Sequence, residues 1–264
     1  MSVAPPRVPG MTTHPHPLAR LHLPGGTLLD ATGDGPWHEP LLWYADRPAR
    51  PGDWARLYEA GRPLGLLPVL METGRGDDGP QDWELQPGRT SDPGDHDAEQ
   101  VLEEYWQDFR FAEEGLEELN RWPGTAPAPA AAPGGLSPDR LAAETADIIS
   151  DSGRLALIPA LRSADIPAAI GWSGPLNHDN DVARLCAVLR SWEDRFGIRV
   201  VSLGFDTMKV SVGRPPGTGA EAYALAAEHL AFCPDAIDAE LPEGLRMYAD
   251  MELLGQDVWS FWWD

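Results

Sequence analysis

The sequence predicts an α+β protein, with a mixed, mostly antiparallel sheet packed by helices in its C-terminal half and a smaller α/β part before it. Three observations predict this. Short apolar runs of strand length are bounded by Pro and Gly. Longer segments repeat their apolar residues at helical spacing and open on capping residues. Between the halves, Arg121 to Pro138 (RWPGTAPAPAAAPGGLSP) holds five prolines and a run of alanines, and is expected to be a semi-extended linker.

Residues 1–17 form a Pro-rich stretch without the apolar core of a signal peptide, and are expected to be a disordered tail. In the N-terminal part, residues 18–120, Leu41–Tyr44 and Leu64–Met71 are expected buried strands. Asp53 to Ala60 between them forms a short helix closed by Gly61. Glu72 to Asp97 is a polar loop dense in Gly, Pro and Asp. A strong helix then opens with Asp97 as N-cap and Gln100 three residues on. Val101, Tyr105, Phe109, Ala112, Leu116 and Leu119 share one of its faces, with Trp106 and Phe111 off that stripe and free to pack elsewhere.

In the C-terminal domain, residues 139–264, Ser137-Pro138 starts a helix whose Leu141, Thr145, Ile148 and Ile149 lie on one face. Arg154 to Leu161 is a strand. Val182, Leu185, Leu189, Trp192 and Phe196 stripe a second helix that stops at Gly197. Ile198–Leu203 and Thr207–Val212 are adjacent strands, the second alternating Met208, Val210 and Val212 against Thr207, Lys209 and Ser211. Thr218 and Glu221 make a capping box for an Ala-rich helix running to Phe232. A last helix over 243–254 ends at Gly255, and Val258 to Asp264 is a terminal strand alternating Trp259, Phe261 and Trp263 against Ser260 and Trp262.

The 264 residues hold 42 acidic and 20 basic side chains, a net charge of −22, and 42% are hydrophobic, enough to build a core. The sign of the charge argues against nucleic acid and against an anionic membrane surface as partners. No stretch reaches the roughly 18 apolar residues of a membrane span. Two cysteines, Cys186 and Cys233, make no disulfide framework, so the expected location is the cytoplasm. The charge is uneven: residues 72–118 contain 16 acids against 3 bases, while residues 1–71 are balanced with six of each.

Several constellations invite a chemical reading. Gly171-Trp172-Ser173-Gly174 resembles part of a nucleophile elbow, but Pro175 stands where the second glycine belongs, and a turn is the better expectation. His229 and Cys233 are four residues apart, so a helix persisting through both would place thiol and imidazole on one face as a candidate catalytic pair, assisted by His178 or Asp235. The competing expectation is a helix end at which Cys233 fills the core and Pro234 stops the helix. No second ligand pair joins them, so no metal and no cofactor is expected. The acidic loop misses the glycine and glutamate of a calcium-binding loop: counted from Asp95, Gln100 and Trp106 occupy those positions. Gly213 to Gly219 lacks the Gly-Lys-Ser/Thr of a phosphate loop. Trp172, Ser173, Asn177, His178, Asp179 and Trp262 are candidate ligand contacts, from a polar loop and an aromatic terminus. Asp95, Asp97, Glu103, Glu104, Glu114 and Glu118 are candidate contacts to a basic protein partner.

GWSGPLNH (Gly171–His178), LRSWEDRFG (Leu189–Gly197), AAEHLAFCPD (Ala226–Asp235) and WSFWWD (Trp259–Asp264) together resemble a bacterial family, common in actinomycetes, known only as a domain of unknown function. The resemblance covers the C-terminal half and implies a shared fold; it brings no activity, cofactor or catalytic residue with it. The leading expectation is therefore a non-enzymatic, cytoplasmic protein-binding module, of the kind an immunity protein represents, with an acidic surface for a basic partner. The alternative is a small hydrolase or transferase that uses Cys233 with His229. Oligomeric state is not legible in the sequence.

Overall fold

Apolar strands from both sides of the Pro/Ala segment meet in one sheet. The computed structural model describes residues 16–73, 79–112, 121–130, 135–237 and 243–264. Its strands are β1 (Gly26–Leu29), β2 (Ala31–Thr32), β3 (Gly35–Pro36), β4 (Leu42–Pro48), β5 (Leu66–Glu72), β6 (Gly153–Pro159), β7 (Ile198–Leu203), β8 (Thr207–Val212) and β9 (Val258–Trp262). Seven of them form a sheet in the order β1-β4-β6-β5-β7-β8-β9, and β2 pairs only with β3. The β5–β7 pair is parallel and all its other neighbours are antiparallel. With helices packed on the sheet, the fold is α+β.

The order matters for how the halves relate. β6 follows the Pro/Ala segment in sequence, yet it lies between β4 and β5, pairing with β5 from Leu66↔Pro159 to Glu72↔Gly153. The segment thus joins two parts of one sheet, not two separate cores. Part of it packs as well: Ala126 is buried, and Trp122 meets Trp106 edge-on at 5.5 Å. Low core-forming content in a segment does not stop a neighbouring surface from holding it.

Strand alternation sends side chains to two faces. On one face Val69, Met71, Ala156, Ile158, Val200 and Val210 pack under α2 (Ala98–Ala112), α4 (Ile166–Ile170), α5 (Val182–Phe196) and α6 (Gly219–Phe232). On the other, Leu70, Leu155 and Val201 pack under α1 (Asp53–Gly61) and α3 (Pro138–Ile148). Val182, Leu185, Leu189, Trp192 and Phe196 are all buried, as their spacing requires; each such side chain contributes about 1.5–3 kcal/mol. Asp181 caps α5 by accepting from the Ala183 N–H, and Gly197 ends it at φ 66°, where a Cβ is disfavoured. The Thr218/Glu221 capping box forms at the start of α6. Asp97 accepts from the Gln100 N–H as expected for the start of α2.

Some expectations are corrected. Gly61 is the last residue of α1, not its left-handed stop; a one-turn 3-10 helix follows and Gly65, at φ 70°, ends it. The buried stripe of α3 is Ala142, Thr145 and Ala146, while Ile148 is exposed, because small residues let this helix lie close to the sheet. The helix over 243–254 divides into α7 (Gly244–Tyr248) and a π-helical turn, Ala249–Leu253. β1, β2, β3 and α4 were without a sequence signal strong enough to place them. Of the Pro-rich tail, residues 1–15 lie outside the described residues, whereas Pro17–Arg20 forms a 3-10 turn that buries Leu18. Leu116 and Leu119, and the side chains of Phe111 and Ala112, also lie outside them.

Candidate functional site

The side chains of Cys233 and His229 each take a hydrogen-bond partner other than one another. α6 ends at Phe232 because Pro234 disfavours helical geometry in the residue before it, and Cys233 adopts φ −148° and ψ 79°. This turn sends its thiol to the last strand, where Sγ donates to the Trp262 carbonyl at 2.9 Å. Cys233 is fully buried, and burial pushes its thiol up to about 12. The thiol stays protonated at neutral pH, and a thiol is a far weaker nucleophile than a thiolate.

His229 is likewise fully buried, within an aromatic cage of Trp192, Trp259 and Phe261 whose ring centroids are 4.7, 4.7 and 5.0 Å away. Its Nδ1 lies 3.1 Å from the Tyr248 hydroxyl, and Nε2 has no hydrogen-bond partner among the described residues. Burial, with the Arg195 charge adding to it, pulls the imidazole down to about 3. A neutral, enclosed ring of this kind is a core residue.

His178 and Asp235 have partners of their own. The His178 ring sits 4.5 Å from that of Tyr105 on α2. Burial lowers its pKa, against the opposing pull of Asp179, Asp235 and Asp108. Asp235 is exposed and accepts from the Asp264 N–H at 3.1 Å.

The loop 171–181 is a junction. Gly171 ends α4 at φ 62°, and a Cβ there would stand 2.1 Å from the Pro87 nitrogen, so the loop 86–90 presses directly onto it. Trp172 is buried, donates from Nε1 to the Gly204 carbonyl at 2.9 Å and meets Trp263 edge-on. Ser173 is half-buried and its carbonyl accepts from the Leu176 N–H, closing a turn. Asn177 donates to the Asp264 carbonyl at 2.7 Å. Asp179 accepts from the Tyr105 hydroxyl at 2.7 Å and pairs with Arg184 at 3.2 Å, while Arg184 reaches Glu104 at 2.6 Å and lies over the Tyr105 ring. The polar density read as ligand-contacting is thus spent on joining α2, the β7–β8 turn and the C-terminus. Trp262 differs from the other ligand candidates: it is 45% exposed and lines an open groove.

The acidic candidates form a surface. Asp95, Asp97 and Glu103 are exposed, with Asp92, Glu99 and Asp108 beside them in sequence, and among the described residues none of these six is in an ion pair. Glu104 is half-buried and held by Arg184. Glu114 and Glu118 lie outside the described residues.

Three charged arrangements escaped the sequence reading. Glu228, fully buried, accepts from the two terminal Arg195 nitrogens at 2.8 and 2.6 Å, from Trp192 Nε1 at 2.8 Å and from the Ala126 N–H at 2.6 Å. Glu72 accepts from Lys209 at 2.5 Å and from the Ser202 hydroxyl at 2.8 Å. A third lines a cavity of about 250 Å³ with Trp54, Tyr58, Asp139, Glu193 and Arg199. There Arg199 binds Asp139 at 2.7 Å and Glu193 at 3.4 Å. Burial and the Asp139 carboxylate raise the Tyr58 hydroxyl to about 12. Arg195–Glu228, Lys209–Glu72 and Arg199–Asp139 each join residues remote in sequence, and no local spacing announces such a pair. Among the described residues, no group of three or more His, Cys, Asp or Glu side chains is placed to hold a metal ion, and no helix is long and apolar enough to cross a membrane.

Residues 154–264 carry a match to one family model, described as a domain of unknown function (DUF4253). All four motifs that suggested such a family fall inside this stretch. No curated protein and no solved structure matches the chain. The matched stretch starts within β6 and includes β7, β8 and β9 but omits β5, the strand between β6 and β7.

Proposed function

We propose that the chain is a cytoplasmic protein-binding module, without catalytic activity, whose acidic α2 face takes a basic partner as an immunity-type protein takes a toxin. The observation that carries this reading is the set of exposed carboxylates at Asp92, Asp95, Asp97, Glu99 and Glu103, on the approach to α2 and its first turns, none of which is in an ion pair among the described residues. Neighbouring like charges raise the local negative potential, which steers a basic surface to this face and repels acidic ones. The raised thiol pKa and enclosure of Cys233 lend the nucleophilic alternative no support.

The test is capture of partners by the full chain at low and high salt, beside the variant Asp95→Asn/Glu99→Gln/Glu103→Gln. The reading expects a partner that binds the native chain at low salt and is lost both from the variant and at high salt, because exposed charges are screened beyond about 10 Å at 0.1 M salt. A partner set indifferent to salt and to the three substitutions would overturn it.

A further inference from the structure

Among the described residues no strand pairs with the outer edge of β9, whose hydrogen-bonding parity is fixed by its two ends. The Val212 N–H donates to the Asp257 carbonyl at 2.8 Å, and the Trp263 N–H donates to the Asp206 carbonyl at 3.1 Å. In the β8–β9 register these bonds place the N–H and C=O of Trp259 and Phe261 toward β8. The backbone groups of Val258, Ser260 and Trp262 therefore point away from the sheet. The Trp262 carbonyl is taken by the Cys233 thiol; among the described residues no hydrogen bond uses the outward groups of Ser260.

Along this edge runs a groove of about 480 Å³. Ser260, Phe261 and Trp262 line one side, and Met247, Tyr248 and Met251 of α7 and the π turn line the other. Met247, Met251 and Trp262 are 49, 64 and 45% exposed, so the groove presents apolar surface to solvent. Lys209 also lines it but is held by Glu72, and Arg246 of α7 lies over the Tyr223 ring. Glu252 lines it and is exposed, and Glu243, Asp250 and Asp257, next in sequence to or near other lining residues, are exposed as well.

We propose that this groove is a docking site for an extended segment of a partner protein, apolar at alternate positions and basic at its flanks, bound by strand addition to β9. Backbone groups of the segment would meet those of Ser260, alternate side chains would enter between Trp262 and the two methionines, and the exposed carboxylates would take the basic flanks. A second copy of this chain fits less well: it brings its own α7 wall with the same exposed Glu252, so edge-to-edge pairing sets like charges together. The site is separate from the acidic face of α2 and does not depend on it.

The test is selection of short random peptides, displayed on phage, against the full chain, followed by titration of an enriched synthetic peptide while the tryptophan fluorescence is monitored. Two variants accompany it. Ser260→Pro removes an N–H that faces away from β8, so the existing ladder is kept, as proline is tolerated at such an edge. Met247→Asp alters an exposed side chain on the opposite wall. The expected result is a family of peptides alternating apolar residues between Arg or Lys, bound at least about tenfold more weakly by each variant (about 1.4 kcal/mol) and equally by the α2 triple variant, with circular dichroism unchanged. Failure to enrich a common pattern, or binding indifferent to both groove variants, would overturn the proposal. So would a dimer of the native chain that Ser260→Pro dissolves, since self-pairing would then occupy the edge. Loss of binding in the α2 variant alone would assign the peptide to the other face and equally overturn it.

Discussion

The Arg195 guanidinium and the Glu228 carboxylate form a two-point ion pair, at 2.8 and 2.6 Å, that also holds the chain between the two halves. Glu228 accepts from the Ala126 N–H and Arg195 donates to the Ala126 carbonyl at 2.7 Å, so both backbone groups of one linker residue close on the pair. A charge pair that also satisfies a buried peptide group explains how a Pro/Ala-rich stretch becomes part of the packed structure.

Glu228→Gln leaves Arg195 with its charge uncompensated at a largely buried position. The expected loss is about 3 kcal/mol of stability, read by denaturant unfolding, together with faster proteolysis between 121 and 130. Replacing both partners, Glu228→Gln with Arg195→Met, should recover part of the stability and leave the segment just as easily cut. Equal protease resistance in the native chain and Glu228→Gln would refute the anchoring role.

Acid sensitivity should have an early limb that comes from His229. An unfolded histidine titrates near 6.5, whereas burial keeps this ring neutral down to about 3. Between those values the unfolded chain binds a proton that the native chain refuses. Stability is therefore intact above about 6.5 and falls as pH drops, by at most about 1.4 kcal/mol per unit. His229→Phe should shrink this limb and leave only the part contributed by His178, whose pKa burial also lowers. Asp53, Asp139 and Asp181, whose folded pKa values are depressed, then add a separate loss as pH falls below the ordinary carboxylate value of 3.8. Unfolding curves collected at several pH values in both proteins separate the two limbs.

Both thiols should resist alkylation in the native state. Burial raises Cys186 as well as Cys233, and neither is exposed. Iodoacetamide at neutral pH should label neither until denaturant is added, after which both react. Rapid native labelling of Cys233 alone, seen by mass spectrometry, would restore the nucleophile reading.

The family-matched stretch, residues 154–264, should not fold by itself. It contains β6 and β7 but lacks β5, which separates them, and it lacks β4 on the other side of β6. Expressed alone, the fragment is expected to show no cooperative unfolding transition and poor amide dispersion by NMR. The full chain should show both a transition and good dispersion.

Local order was legible where one pattern decides it. The stripe from Val182 to Phe196, the capping box at Thr218 and the burial of Met208, Val210 and Val212 each depend on neighbours in sequence and hold in the structure, whereas Ser211, on the face expected to be polar, is buried because helices cover both faces of the sheet. The interleaving of β6 between β4 and β5 was not legible, because strand order is set by which apolar faces meet across long separations. The same reason hid Glu228: a glutamate in an Ala-rich helix looks like a solvent-facing residue until Arg195, Trp192 and Ala126 are brought to it. At Cys233 the misleading signal was helical spacing across a residue that Pro234 removes from the helix. The 171–181 loop was recognised as polar and dense, but its partners at Tyr105, Gly204 and Asp264 lie far away in the chain.

The place of β6 also sets a timetable for the newborn polypeptide. Its first half leaves the ribosome with β4 and β5 unable to meet, since the strand that bridges them is translated only after the Pro/Ala segment. Until then Leu66, Val69 and Leu70 have no sheet neighbour on that side and present an adhesive edge, the kind of surface that nascent-chain chaperones shield. Arrival of residues 153–159 supplies the strand that pairs with both β4 and β5, so the stretches before and after the Pro/Ala segment enter one sheet only from that point.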